Sequence, residues 1–150
     1  MSRAQLLCLH VSIALTALTG IAFAWMKYAM KSSDPFAVAN HPMQPHMLSA
    51  HVIIAPAMTF VLGWTFANHI WPRIVIEDPR RRFSGLATAI LIVPMIASGY
   101  LLQIATNDAV RKAMATAHWI ASGVFVIGYV AHLLGSRQRR ETIDQPLQPS

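Results

Sequence analysis

Acidic side chains are scarce in this chain. Six Asp and Glu occur in 150 residues (Asp34, Glu77, Asp78, Asp108, Glu141 and Asp144), and all lie outside four long uncharged stretches. No carboxylate pair is therefore available inside an apolar segment for acid–base catalysis, and no acidic lining for an ion path. Cysteine is scarcer still. Cys8 stands alone, which excludes an internal disulfide and suits a small apolar packing residue in a helix. There is no nucleophile–base set and no glycine-rich phosphate loop to suggest covalent catalysis. Charged residues of both signs make up 12% of the chain, hydrophobic ones 55%. A soluble domain of this size needs a larger charged surface, so the composition points to an integral membrane protein. The pI near 10.3 comes from bases that cluster beside apolar segments. That pattern fits membrane topology and anionic headgroups, with no nucleic-acid partner.

The four uncharged stretches run roughly from Ala4 to Met26, His46 to Trp71, Phe83 to Thr106 and Ala113 to Gly135. Each exceeds the ~20 residues that a spanning helix needs. Breakers and polar residues separate them: Ser32-Ser33-Asp34-Pro35, Asn40 to Pro45, Glu77-Asp78-Pro79 and Asn107-Asp108. The predicted fold is all-α, an integral membrane four-helix up-down-up-down bundle with short loops. It comprises one transmembrane domain over residues 1–140 and a loosely ordered tail over 141–150, where Pro146 and Pro149 fall. No internal repeat is visible in the sequence. Ala22-Phe23-Ala24 resembles a signal-peptidase site, but the apolar run before it is longer than a secretory core of ~7–15 residues. The segment is read as a retained first helix.

Lys and Arg set the expected orientation. One side holds eight (Arg3, Arg73, Arg80, Arg81, Arg82, Arg137, Arg139 and Arg140). The other holds four (Lys27, Lys31, Arg111 and Lys112). Both termini are expected in the cytoplasm, in a multi-pass protein of the bacterial inner membrane. The Arg80-Arg81-Arg82 run is most simply a topology anchor.

Histidine carries the chemistry. His118 and His132 lie fourteen residues apart in the last stretch. Fourteen helical steps rise ~21 Å and rotate a net ~40°, so both imidazoles share one face, one toward each leaflet. Polar rings inside hydrocarbon are costly unless partnered, and axial ligation of two stacked haems explains the spacing. At the periplasmic level His118 can pair with His51. At the cytoplasmic level His132 can pair with His10 or with His69. His69 lies eighteen residues after His51, a rise of ~27 Å, about one turn too near the surface. It also neighbours Asn68, Trp71 and Arg73, a headgroup-boundary mixture, so His10 is favoured. His41 and His46 flank prolines in or beside a loop and are expected to be solvated. A lone intramembrane histidine can simply hydrogen-bond to a neighbouring helix, but three at matched depths are harder to explain that way. Zinc fits poorly, since it usually takes four nitrogen or sulfur ligands. Gly20, Gly63, Gly99, Gly123, Gly128, Ser98 and Ser122 are low-volume positions that permit close approach of a helix or a macrocycle. Pro56 and Pro94 should bend their helices.

These residues resemble the four-helix diheme cytochrome b561-type family, which includes the cytochrome b (gamma) subunits of respiratory formate dehydrogenases and nickel–iron hydrogenases. The resemblance rests on His10 with Thr19-Gly20, His51, Ser98-Gly99 with Leu101, and His118 with His132. It covers about Leu6 to Leu134. It implies two haem b groups, one held by His51 and His118 and the other by His10 and His132, and a quinone site to which no residue is assigned. The short loops depart from the larger members and leave little to dock a catalytic subunit. The expected function is transmembrane electron transfer between a periplasmic redox protein or catalytic subunit and the quinone pool or a cytoplasmic-side acceptor. The alternative is a non-redox membrane anchor or assembly subunit of a larger complex. A histidine-based transporter ranks last, because the spans hold no acids.

Overall fold

The computed structural model describes residues 2–30, 34, 36, 41–72 and 83–143, with backbone alone for 83–89 and 136–143. The basic run Arg80-Arg81-Arg82, the Glu77-Asp78-Pro79 turn, Arg73, Lys31 and residues 144–150 lie outside the described residues, as do the side chains of Arg137, Arg139 and Arg140. The described chain is helical with no strand. Four helices follow in order: α1 (Arg3–Ala24), α2 (Gln44–Thr65), α3 (Phe83–Ile104) and α4 (Asp108–Ile143). A π-helical turn extends α1 over Trp25–Ala29, and another extends α2 over Phe66–Ile70. Each expected span is thus a helix, with ends shifted by a few residues. α4 runs eight residues past Gly135 to Ile143, taking in the start of the expected tail.

The helix starts have local causes. Ser2 Oγ accepts the Gln5 backbone N–H at 3.1 Å, which caps α1. Asn107 Oδ1 accepts the N–H groups of Ala109 (2.9 Å) and Val110 (3.2 Å), and Asp108 adds an acid to the first turn of α4. Before α2, His41 Nδ1 accepts the Met43 N–H at 3.1 Å, and the Gln44 N–H donates to the His41 carbonyl at 2.9 Å. His41 is therefore a turn-forming residue, and Pro45 follows where a missing N–H costs nothing.

Among the described residues three helical segments are long and apolar enough to cross a membrane: Arg3–Ala29, Gln44–Ile70 and Asp108–Gly135. Their 27 or 28 residues would reach about 40 Å, against a hydrocarbon core of ~30 Å. The described apolar part of α3 is shorter, Ile90–Ile104. The distribution of side chains is the reverse of a soluble protein's. Leu18, Ile53, Val93 and Ile127 are 64–74% exposed, whereas Gln5 and Ser98 are only 4% exposed and Ser12, Thr16 and Thr65 are also buried. Apolar groups outside and polar groups inside are what a lipid solvent selects. Cys8 is exposed on α1, so it faces outward and does not pack within the fold.

The chain divides into two units, Met1–Pro72 and Arg73–Ser150. In the first, α1 and α2 form an antiparallel hairpin. Gln5 Nε2 reaches the Trp64 carbonyl at one end (3.5 Å), and Thr19 and Gly20 meet His51 toward the other. Along α1 the buried stripe is Gln5, Leu9, Ser12, Ile13 and Thr16; on α2 it is Met58, Leu62 and Thr65. In the second, three residues join α3 to α4. Met95 and Ser98 of α3 and Ala121 and Phe125 of α4 are buried there, and Phe125 stacks on Tyr129 one turn later (6.2 Å between centroids, 9° between planes).

Candidate functional site

Each hairpin holds one histidine of its second helix against a small-residue notch on its first. In the first, His51 Nδ1 lies 3.0 Å from the Thr16 carbonyl oxygen and 3.3 Å from Thr19 Oγ1. In the second, His118 Nδ1 lies 2.9 Å from the Met95 carbonyl oxygen and 3.3 Å from Ser98 Oγ. The hydroxyls behave alike as well. Thr19 donates to the carbonyls of Leu15 (2.8 Å) and Thr16 (3.1 Å), and Ser98 to those of Pro94 (2.6 Å) and Met95 (3.1 Å).

A glycine follows each hydroxyl. A Cβ at Gly20 would stand 2.9 Å from His51 Cε1, and one at Gly99 would stand 3.0 Å from His118 Cε1. Both rings therefore occupy space that any other residue would fill. Each notch reads as carbonyl at position i, hydroxyl at i+3 and glycine at i+4. The two notches agree to within 0.2 Å in these hydrogen-bond distances. The sequence shows no repeat, yet this local arrangement occurs twice.

The electrostatics follow from the partners. A carbonyl oxygen can only accept, so Nδ1 carries the proton in both rings. The lone pair of the neutral imidazole then resides on Nε2, the nitrogen that can ligate a metal. A metal-ligating histidine commonly donates its other N–H to a carbonyl in this way, which fixes the tautomer and raises the basicity of the ligating nitrogen. His41 shows the contrast, since its Nδ1 accepts a backbone N–H. His51 continues the buried stripe of α2, and His118 lies close to that of α4. Stepping ~100° per residue puts His51 between Met58 and Leu62, and His118 about 20° from Phe125.

The other expected ligands have different settings. His10 is half-buried on α1, roughly 110° around the helix from the centre of its buried stripe. His132 lies on the same face of α4 as His118 and is exposed. His69 is half-buried in the π-helical turn. The wider turn of a π-helix advances fewer degrees per residue, which carries His69 off the face shared with His51. Depth also separates them. His51 meets α1 between Thr16 and Gly20, six to ten positions from His10, or about 9–15 Å along the axis. The position fourteen residues after His51 is Thr65, which is 5% exposed. His51 and His118 belong to different hairpins, as do His10 and His132.

Thr16 and Met95 escape a reading of the sequence altogether, because their contribution is a backbone carbonyl. Thr19-Gly20 and Ser98-Gly99 are visible as small-residue pairs, but their role is not. The available signal is a hydroxyl–glycine pair on the helix that precedes each histidine-bearing helix. Among the described residues no three His, Cys, Asp or Glu side chains gather around a point that could hold a bare metal ion. No family model, curated protein or solved structure matches this chain.

Proposed function

We propose that this chain is a transmembrane electron carrier that binds b-type haem through histidine, with His51 and His118 as axial ligands. The observation that carries this reading is the matched hold on both rings: Nδ1 donates to a helix carbonyl at 3.0 and 2.9 Å, so Nε2 bears the lone pair. A haem so held supplies one-electron exchange at its iron. The protein's part is to present two oriented imidazoles, to raise their basicity through the carbonyls, and to surround them with apolar side chains that exclude water. The residues fit the group. The donors are imidazoles whose Nδ1–H is engaged by a helix carbonyl, the arrangement common in histidines that ligate a metal through Nε2.

The rest of the reading rests on the sequence argument. His10 and His132 would hold a second haem b, with His69 as the alternative to His10. The four helices would form an up-down-up-down bundle in the bacterial inner membrane with both termini cytoplasmic. Electrons would pass between a periplasmic redox protein or catalytic subunit and the quinone pool or a cytoplasmic-side acceptor. Purified protein should give b-type bands in a dithionite-reduced minus oxidised spectrum, and His51→Ala or His118→Ala should remove one haem. Correctly folded protein without any b-type signal would rule the proposal out.

A second reading draws on the same contacts. The Nδ1 bonds tie α1 to α2 and α3 to α4, as expected of histidines that only hold helices together in a non-redox anchor or assembly subunit. Under that reading the wild type is colourless, and the histidine substitutions cost stability alone.

A further inference from the structure

Resting on the haem reading above, we propose that Thr19 and Ser98 are matched positioning residues that set the electron donation of His51 and of His118 to the haem iron each is proposed to hold. The carbonyl is the nearer acceptor of each Nδ1–H, and the hydroxyl at 3.3 Å is the second. Each hydroxyl proton is already committed to carbonyls of its own helix, at 2.8 and 3.1 Å for Thr19 and at 2.6 and 3.1 Å for Ser98. The oxygen therefore offers only lone pairs toward the ring.

Two acceptors on one N–H select one ring orientation. A half-turn about the Cβ–Cγ bond would turn a C–H toward both and lose both bonds. In a medium of low dielectric such bonds polarise the ring more than they would in water. A more polarised Nδ1–H gives the ring more imidazolate character, which favours ferric over ferrous iron and lowers the midpoint potential. Hydrogen bonding around the axial ligand is one of the levers a protein has on haem potential. The hydroxyls belong to different hairpins. Their shared geometry makes them equivalent in effect, each on the ring that its own hairpin holds.

The experiment is redox potentiometry of the purified haem-loaded protein, with visible and low-temperature EPR spectra, for wild type, Thr19→Val, Ser98→Ala and the double variant. Each single variant should raise the potential of the haem that its histidine is proposed to hold and alter a low-spin EPR signal. The double variant should combine the two effects, and Thr19→Ser and Ser98→Thr should restore the wild-type values. Retained haem with unmoved potentials overturns the proposal. If Thr19→Val does not fold, Thr19→Ala removes the same hydroxyl without bulk.

Nitrogen-15 imidazole spectra of the haem-free protein separate failure of this proposal from failure of the haem reading. If the wild type binds no haem, the haem reading fails and so does the tuning role. A change in the His51 and His118 tautomer signals in the variants would then sustain the orienting role alone. Unchanged signals would overturn that role too.

Discussion

A single methyl group added at Gly20 or Gly99 should separate the two ring notches from Gly63 and Gly123, where a Cβ would meet nothing within 4 Å. The Cβ of Gly20→Ala would stand 2.9 Å from His51 Cε1 and 3.1 Å from its Nδ1; that of Gly99→Ala would stand 3.0 and 3.3 Å from the same atoms of His118. Ordinary carbon contacts are about 3.5–4.0 Å, so each ring must retreat by roughly 0.6 Å or more. Such a retreat stretches the Nδ1 bonds of 3.0 and 2.9 Å to about 3.5 Å, past useful hydrogen-bond range. Overpacking costs about 1–3 kcal/mol, and the weakened bond about 0.5–1.5 kcal/mol. Replacing glycine by alanine in a helix returns about 1 kcal/mol. The net expectation is a loss near 2 kcal/mol at either position. Gly63, Gly123 and Gly135 have nothing within 4 Å of a built Cβ. Gly63→Ala and Gly123→Ala should therefore be neutral or stabilising by up to about 1 kcal/mol. The assay is denaturant unfolding in detergent micelles followed by far-UV circular dichroism. Equal stability of Gly20→Ala, Gly99→Ala and the two controls would refute the reasoning, because the notches would then have no steric content.

Three further outcomes are expected. Thr65 is buried and its Oγ1 finds no hydrogen-bond partner among the described residues, so the isosteric Thr65→Val should hold or raise stability by about 1 kcal/mol in the same unfolding assay. Asn107→Ala removes both side-chain bonds that start α4 and should cost about 1 kcal/mol, with fraying of the first turn seen as faster amide exchange at Ala109 and Val110. If both termini are cytoplasmic, alkaline phosphatase fused after Asn107 should be active and the same enzyme fused after Arg81 inactive; the opposite pattern would invert the orientation drawn from Lys and Arg.

Much of the helical layout is legible in the sequence, for a physical reason. Spans of this length are set by hydrocarbon thickness, and Asn107 or Pro45 mark starts by chemistry that is local in the chain. His51 and His118 stand out because a polar ring in an apolar run is conspicuous. What holds them is hidden, since Thr16 and Met95 act through backbone carbonyls that every residue type possesses. The π-helical turns at Trp25–Ala29 and Phe66–Ile70 are also invisible to a count of 100° per residue. That count therefore misplaces His69 in rotation. The depth of His10 relative to His51 is hidden in a different way: it depends on hairpin register, which the distance between two residues along one chain does not encode. A reading that compares rises along separate helices needs one cross-helix contact to anchor it, and Gly20 against His51 supplies it.

The composition of the notch follows from what a helix carbonyl can accept. In an α-helix the carbonyl of residue i already receives the N–H of residue i+4, which is Gly20 for Thr16 and Gly99 for Met95. An imidazole that seeks the carbonyl's second lone pair must approach beside that same i+4 residue. A side chain there would stand in its path, as the 2.9 and 3.0 Å Cβ distances show. Glycine clears the approach, and the hydroxyl at i+3 closes its other side by leaning on the carbonyls of the preceding turn. A ring can thus bond to the backbone of an intact helix without breaking the helix's own hydrogen bonds, which in lipid would cost several kcal/mol per group left unsatisfied. The argument makes order matter as well as content. Exchanging the pair, as Thr19→Gly with Gly20→Thr, keeps the composition but puts a Cβ where His51 lies. The swapped protein should lose the Nδ1 bond and, with it, the haem that His51 is proposed to hold. Retention of wild-type haem content and spectrum in that double variant would show that the notch does not orient the ring.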